Sequence, residues 1–301
     1  MNPAWLSLGR PPRLAASIAV ALGVAWCCAP RSGDAPSAAP PEASLPKYGP
    51  RATRLYEDRA FVRVNEAPDF WALLPYYLPQ RTDSSCSVAS VAMLVNALRA
   101  GRRLGADEPL VTEAGLLGAL GDREWERATA EGGEGVDLEQ LGALIERVLS
   151  AYGLEPYRVD VVHVDSTSEE TRARLRAVLS RNERSGEDFV LVNFLQSTLT
   201  GDPDGAVGHI APIAAYDASR DRALVLDPDR RWYEPYWVPL DALLEAMATR
   251  DPTVASAEVG GRGWRGFVHV RTRGALAAAA ARHPFARASG IPGPGRTPRG
   301  R

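Results

Sequence analysis

The feature that most constrains the fold of this 301-residue sequence is the stretch from Pro79 to Leu98. A polar run, Gln80-Arg81-Thr82-Asp83-Ser84-Ser85, gives way at Cys86 to a periodic apolar segment. Val88, Val91, Ala92, Val95 and Leu98 recur at i, i+3, i+4, i+7 and i+10, which is one face of a helix. Ser84 and Ser85 are the expected caps. Cys86 is thereby placed at a helix N-terminus, where the macrodipole and unpaired first-turn N–H groups favour a thiolate. Gln80 stands just upstream, a side-chain amide suited to hold an oxyanion beside such a nucleophile.

A nucleophile needs a base, and the chain supplies one far downstream. His209 opens the apolar run Ile210 to Tyr216, a turn covers Asp217 to Asp221, and Ala223 to Leu226 forms a second strand ending at Asp227. Antiparallel pairing of the two strands brings His209 and Asp227 together. Cys86 as nucleophile, His209 as base and Asp227 as the group that orients the imidazole make one constellation, with Gln80 and the Cys86 N–H at the oxyanion. The plainer reading of Cys86 is a buried core cysteine. His163, His269 and His283 have no ligand-like spacing and read as structural or solvent-facing, so no metal site is expected. Asp202, Asp204 and the carboxylates of 217–221 fit no calcium loop and read as turn formers.

Composition narrows the setting. With 45% hydrophobic residues, 24% charged and a formal net charge of −2, the chain gives no electrostatic reason to bind nucleic acid or anionic membrane surfaces. A single domain is the simplest reading of the length. Residues 1–28 read as an export signal: Arg10 and Arg13 precede an uncharged Leu14–Val24 run, which is short of the about 20 residues a membrane span needs. Ala25-Trp26-Cys27-Cys28 suggests a bacterial lipoprotein cleavage site, so export to the periplasm, with or without a lipid anchor, is expected. Of the three cysteines, Cys86 alone lies outside this leader.

Residues 29–54, rich in Pro and Ala, read as a linker, residues 55–273 as the catalytic domain, and 274–301 as an Ala-rich segment followed by a disordered tail. Within the domain, helices are expected over 112–120, after Asp137 and after Ser168, and over Leu240 to Met247. Strands are expected at Tyr157 to Val164, Phe189 to Leu195 and Gly266 to Arg271. The aromatic stretch Asp69 to Leu78 reads as core, with the lining of a substrate groove as the other reading. The glycine-rich Glu131 to Gly135 lacks phosphate-loop spacing.

Three blocks resemble the phytochelatin synthase family, which belongs to the papain-like cysteine peptidase clan. They are the segment from Gln80 through Cys86 to Asn96-Ala97-Leu98, the block Gly208-His209-Ile210-Ala211-Pro212, and the run from Ala223 through Asp227, Arg230 and Tyr233 to Trp237-Val238-Pro239. The resemblance implies an α+β, papain-like fold, with a helical lobe carrying the nucleophile packed on an antiparallel sheet lobe. It implies a Cys86–His209–Asp227 triad with Gln80 at the oxyanion, and it places Arg230 and Tyr233 near the substrate. That substrate is expected to be glutathione, or a similar small thiol peptide, cleaved at its Cys–Gly bond through a γ-glutamylcysteinyl thioester. The acyl group passes to water or to another glutathione. No cofactor is required, and heavy-metal ions would stimulate through thiolate-bound substrate. The chain is expected to match the short, prokaryotic type of the family. Ser87 departs from the common Gly, and Ile210-Ala211 from the common Phe-Ser.

Two other functions fit the same residues: an envelope cysteine peptidase acting on another peptide, and a non-catalytic surface lipoprotein that binds through this fold. The oligomeric state is open, a dimer included.

Overall fold

The computed structural model describes residues 48–154, 157–252, 254 and 263–272. The expected signal over 1–28, most of the expected linker over 29–54 and the expected tail over 274–301 lie outside the described residues. In chain order the elements begin with β1 (Thr53–Arg54), α1 (Ala60–Val64), α2 (Pro68–Leu73), α3 (Cys86–Ala100), α4 (Glu113–Leu120), α5 (Arg123–Ala128) and α6 (Leu138–Ala151). There follow β2 (Tyr157–His163), α7 (Glu169–Asn182), β3 (Asp188–Leu195), α8 (Gln196–Thr200), β4 (Gly208–Asp217), β5 (Arg222–Val225), β6 (Tyr236–Pro239), α9 (Leu240–Met247) and β7 (Gly266–Thr272). The strands form a single antiparallel sheet in the order β1-β6-β5-β4-β3-β7-β2. The class is α+β.

Strand periodicity sorts the sheet's side chains into two cores. From β3, Phe189 and Leu191 face one cluster with the apolar residues of α3 and α6, whereas Val190, Val192 and Phe194 face another with those of α7 and α9. The sheet is thus a central layer with helices on both faces, rather than one lobe facing a helical lobe. Burial on both sides is why β3 reads as an unbroken apolar run. The central strand β4 carries Pro212, which cannot donate to a ladder. A register shift between Ile213 and Ala215 follows it and turns both Ala214 and Ala215 to the α3 face.

α3 is buried on more than the one face its periodicity shows: thirteen of its fifteen residues are buried. Burial of its polar side chains is tolerable because each finds a partner. Ser90 Oγ donates to the Ile210 carbonyl, pinning the helix to β4. Asn96 exchanges two bonds of 2.8 Å with the Val111 backbone, and Ser87 Oγ accepts from Trp125 Nε1 at 3.1 Å. α6 begins with a full capping box between Asp137 and Gln140 and lays Leu141, Ile145, Val148 and Leu149 on the sheet. Gly142 allows that approach, since a Cβ there would run into Val161 of β2.

Two expectations change and a third holds. The ordered domain begins before Leu55: Tyr48 packs on Tyr233 and Tyr236, and Thr53–Arg54 pairs with β6, so the end of the assigned linker is part of the sheet. Ser85 occupies the N-cap of α3 without capping it, because its Oγ accepts instead from the N–H groups of Arg81 and Thr82. The aromatic stretch before Gln80 is largely core, with Phe70 buried and Tyr76 and Tyr77 packed against it, although Trp71 is exposed.

Candidate active site

The site forms where one end of β4 meets the N-terminus of α3. Cys86 is the first residue of that helix and is buried except for a small patch opening into a cleft of about 860 Å³. The turn before it is held from several sides. Gln80 N donates to the Pro228 carbonyl, Arg81 N to the buried Glu113 carboxylate, and Thr82 Oγ1 to the Thr129 carbonyl. Ser84 Oγ donates to the Gly133 carbonyl and Gly132 N to Asp83 Oδ1, so the glycine-rich loop is tied to the segment before Cys86 and forms a cleft wall.

His209 lies at the start of β4 and Asp227 just beyond β5, in the hairpin that the sequence indicated. Asp227 Oδ1 meets His209 Nε2 at 2.7 Å and accepts from Asp229 N at 2.9 Å. Asp227 Oδ2 accepts from Tyr236 Oη at 2.9 Å and Gln196 Nε2 at 3.2 Å. Burial alone would raise this carboxyl's pKa, but the imidazole and these donors lower it below the usual range. Burial likewise acts to lower the His209 pKa. The Asp227 charge and the Cys86 thiol outweigh it and hold the imidazole well above its ordinary value. With Nε2 engaged by Asp227, Nδ1 is the ring nitrogen left for Cys86. The ring packs edge-on to Phe194, 5.5 Å between centroids.

The other expected site residues distribute unevenly. Tyr233 is buried, lines the cleft and donates its hydroxyl to Asp202 Oδ2 at 2.6 Å. Gln80 is not on the cleft lining; its amide donates to the Asp83 carbonyl at 3.4 Å, and its Oε1 has no hydrogen-bond partner among the described residues. Arg230 also stands off the lining. Its exposed guanidinium stacks 4.8 Å above the Tyr77 ring, and the Tyr77 hydroxyl donates to the Asp227 carbonyl. Ser87 is buried and turned to Trp125, away from the cleft, whereas Ile210 lines it.

Sequence reasoning gave no role to three side chains here. Gln196 follows the apolar β3 run directly and Tyr236 lies within the third resembling block, but neither position announces a bond to Asp227. Arg265 is nearly fully buried in the cleft wall. Its Nη1 donates to Thr249 Oγ1, while its Nε has no hydrogen-bond partner among the described residues. Gly208 lets it pass beside His209, since a Cβ there would lie 2.9 Å from Arg265 Nη2. Among the described residues, no group of three His, Cys, Asp or Glu side chains is arranged to hold a metal ion, and no helix is long and apolar enough to cross a membrane.

A sequence model of the phytochelatin synthase family matches residues 58–264, more than half of the chain. The chain belongs to the phytochelatin synthase family. It is similar to glutathione gamma-glutamylcysteinyltransferase 3 of Lotus japonicus, 29% identical over 186 residues, covering 60% of this chain and 34% of that protein. It is similar also to glutathione gamma-glutamylcysteinyltransferase 1 of Triticum aestivum, at 28% over 183 residues, 60% of this chain and 33% of that protein. A 44-residue stretch is 54% identical to glutathione gamma-glutamylcysteinyltransferase 1 of Arabidopsis thaliana, covering 15% of this chain and 9% of that protein. The chain spans about a third of the length of the first two relatives. The phytochelatin synthase family match takes in the whole Cys86–His209–Asp227 arrangement.

Proposed function

We propose that this chain is a thiol acyltransferase or hydrolase that cleaves the Cys–Gly bond of glutathione. The observation that carries the proposal is the buried line from the Asp227 carboxylate through the His209 imidazole to Cys86 at a helix N-terminus, opening on one cleft. We read the fold as papain-like on the same ground.

In the proposed reaction His209 takes the Cys86 proton and Asp227 stabilises the imidazolium. The sulfur attacks the carbonyl carbon of the Cys–Gly bond. The oxyanion is received by the Cys86 N–H and by Gln80, whose amide would turn from its long bond to Asp83. The C–N bond then breaks as His209 returns the proton to the glycine nitrogen, leaving a γ-glutamylcysteinyl thioester. Water, or the amine of a second glutathione, attacks with His209 accepting its proton, and the sulfur departs as thiolate. Tyr233 and Arg265 line the cleft, with the Arg265 guanidinium paired to Asp251. Arg230 would reach substrate only by leaving Tyr77.

No cofactor enters this scheme, and heavy-metal ions would act through thiolate-bound substrate. Export to the periplasm, with a lipid anchor at the leader cysteines as one form, completes the proposal. A second reading, a peptidase for longer peptides, is favoured by the exposed Val207 and Trp232 on the cleft rim.

The test is incubation of the full chain with glutathione, with free glycine read by mass spectrometry beside Cys86→Ala. Glycine release that falls by roughly 10³-fold or more in the variant is expected. No glycine from the wild type, with Cys86 still open to alkylation, would end the glutathione reading. Added cadmium separates transfer, which yields longer γ-glutamylcysteinyl peptides, from hydrolysis.

A further inference from the structure

Asp227 is held by donors from two separate elements. Tyr236 lies in β6 and Gln196 opens α8, and both reach the carboxylate oxygen that does not face His209. One short piece of chain ties those two elements together, and it precedes the residues where the domain is expected to start. Gly49 N donates to the Thr200 carbonyl at the end of α8. Thr53 and Arg54 pair with Trp237 and Tyr236 of β6. Just before these anchors Tyr48 sets its ring edge-on to Tyr236 and Tyr233, with centroids 5.6 and 5.8 Å away. Its hydroxyl accepts from Glu234 N at 2.7 Å.

We propose that the strap Tyr48–Arg54 positions the active site: the Tyr48 ring buttresses Tyr236, and Tyr236 with Gln196 fixes Asp227 against His209. This rests on the reading of Cys86 and His209 as nucleophile and base. Tyr48, Tyr236 and Gln196 are positioning residues, none of which touches the thiol. Without the buttress Tyr236 can tilt, Asp227 loses a donor of the strong, charge-assisted kind, and the carboxylate is free to turn from Nε2. The imidazolium then loses its partner, and His209 becomes a weaker acceptor for the Cys86 proton. The charged and titratable groups around Asp227 are His209 and Cys86 on the cleft side, Tyr236, Tyr233 and Asp202 behind, Tyr48 and Glu234 on the strap side, and Tyr77 with Arg230 above its backbone.

The experiment uses the full chain and two readouts, kcat and KM for glycine release from glutathione, and the rate of Cys86 alkylation by iodoacetamide at pH 6 and pH 9, mapped to Cys86 by peptide mass. Tyr236→Phe removes one hydroxyl and is expected to lower kcat and the pH 6 alkylation rate about tenfold, the worth of one hydrogen bond to a charged group. KM and the pH 9 rate should barely move. Tyr48→Ala should act in the same direction, and Tyr48→Phe, which keeps the ring, should restore most of the loss. Tyr48→Ala that changes neither readout overturns the proposal. So does a variant that melts earlier but alkylates with the wild-type pH dependence. If Tyr48→Ala does not fold, Tyr236→Phe decides alone, and an unchanged pH 6 rate there overturns it. If the wild type releases no glycine but the variants still slow alkylation at pH 6, the glutathione reading fails and the positioning role stands. A wild-type Cys86 that reacts at pH 6 no faster than a free thiol overturns the nucleophile–base reading and the strap proposal with it.

Discussion

Two buried histidine–aspartate pairs lie along β3, and only one borders the cleft. His209 meets Asp227 at 2.7 Å opposite Phe194, whereas His269 meets Asp188 at 3.0 Å opposite Val190. As isolated pairs they look alike. Their surroundings differ. Asp227 has two acceptor oxygens and four donors, and the other side of its imidazole meets a thiol at a helix N-terminus. Asp188 accepts from Ser185 and His269, but its acidic neighbours are poorly served: both oxygens of the fully buried Asp69 and one of Glu183 have no hydrogen-bond partner among the described residues. A His–Asp contact is therefore not a site by itself. What separates the two is a neighbouring thiol, a cleft beside the ring, and four donors on Asp227 where Asp188 has two among the described residues.

The sharpest way to break this comparison is to make the same substitution at both pairs. His209→Gln can still donate to Asp227 but cannot shuttle a proton, and glycine release should fall by roughly 10³–10⁴-fold. His269→Gln should keep kcat within about threefold while costing about 1–3 kcal/mol of stability, the range for a buried bond left poorly made. Steady-state glycine release and thermal melts on the two variants check both. A large kcat loss in a folded His269→Gln would show that the two pairs are coupled through β3.

The pair at the cleft was legible in the sequence because its geometry is local. A strand, a turn and a second strand suffice to bring His209 to Asp227, and helix periodicity alone puts Cys86 at a tip. The capping of α6 by Asp137 was legible for the same reason. The groups that hold Asp227 were not, because Gln196 and Tyr236 come from separate elements and Tyr48 reaches Tyr236 only when β1 joins the sheet edge beyond β6. A proline-rich lead-in hides that edge strand, which is two residues long. The helices on the second face were seen one by one, but nothing in their own periodicity says which face of the sheet they cover. Asp69 was hidden too, since a carboxylate in a first helical turn ordinarily reads as a solvated partner of the helix dipole.

Ser87 sharpens the comparison at intermediate cost. It stands where the family commonly has glycine, next to Cys86, yet its hydroxyl is directed at Trp125 Nε1 in the core. Ser87→Gly leaves a buried indole N–H without its acceptor and loosens the first turn of α3. Stability should drop by about 1–3 kcal/mol, with KM for glutathione nearly unchanged. A KM shift larger than the change in stability would mean that this position shapes the acyl pocket after all.

The smallest effect concerns pH and belongs to the pair outside the cleft. Burial raises the Glu183 carboxyl to about 7 and that of Asp69 well above its ordinary value, with Asp217 adding to the first and Asp188 and Glu183 to the second. Both groups thus hold a proton in the folded chain that the unfolded chain gives up near pH 4. The folded state binds more protons, so stability falls as pH rises. Glu183's contribution is fully present below about pH 4 and is lost by the time pH passes about 7. Partial exposure of Glu183 to water softens the effect. Glu183→Gln keeps an acceptor for Tyr216 N and removes the titration, so its melting temperature should match the wild type near pH 5 and exceed it by a few degrees at pH 8. Asp69→Asn should behave likewise. At the cleft Asp227 alone gives the reverse slope, because its carboxyl lies below its ordinary value and its stabilisation is lost in acid, whereas the contribution of His209, held well above its ordinary value, falls with rising pH as that of Glu183 does. Melts of Glu183→Gln that keep the wild-type slope between pH 5 and 8 would place the alkaline loss elsewhere, and the contrast between the two carboxylate environments would fall with it.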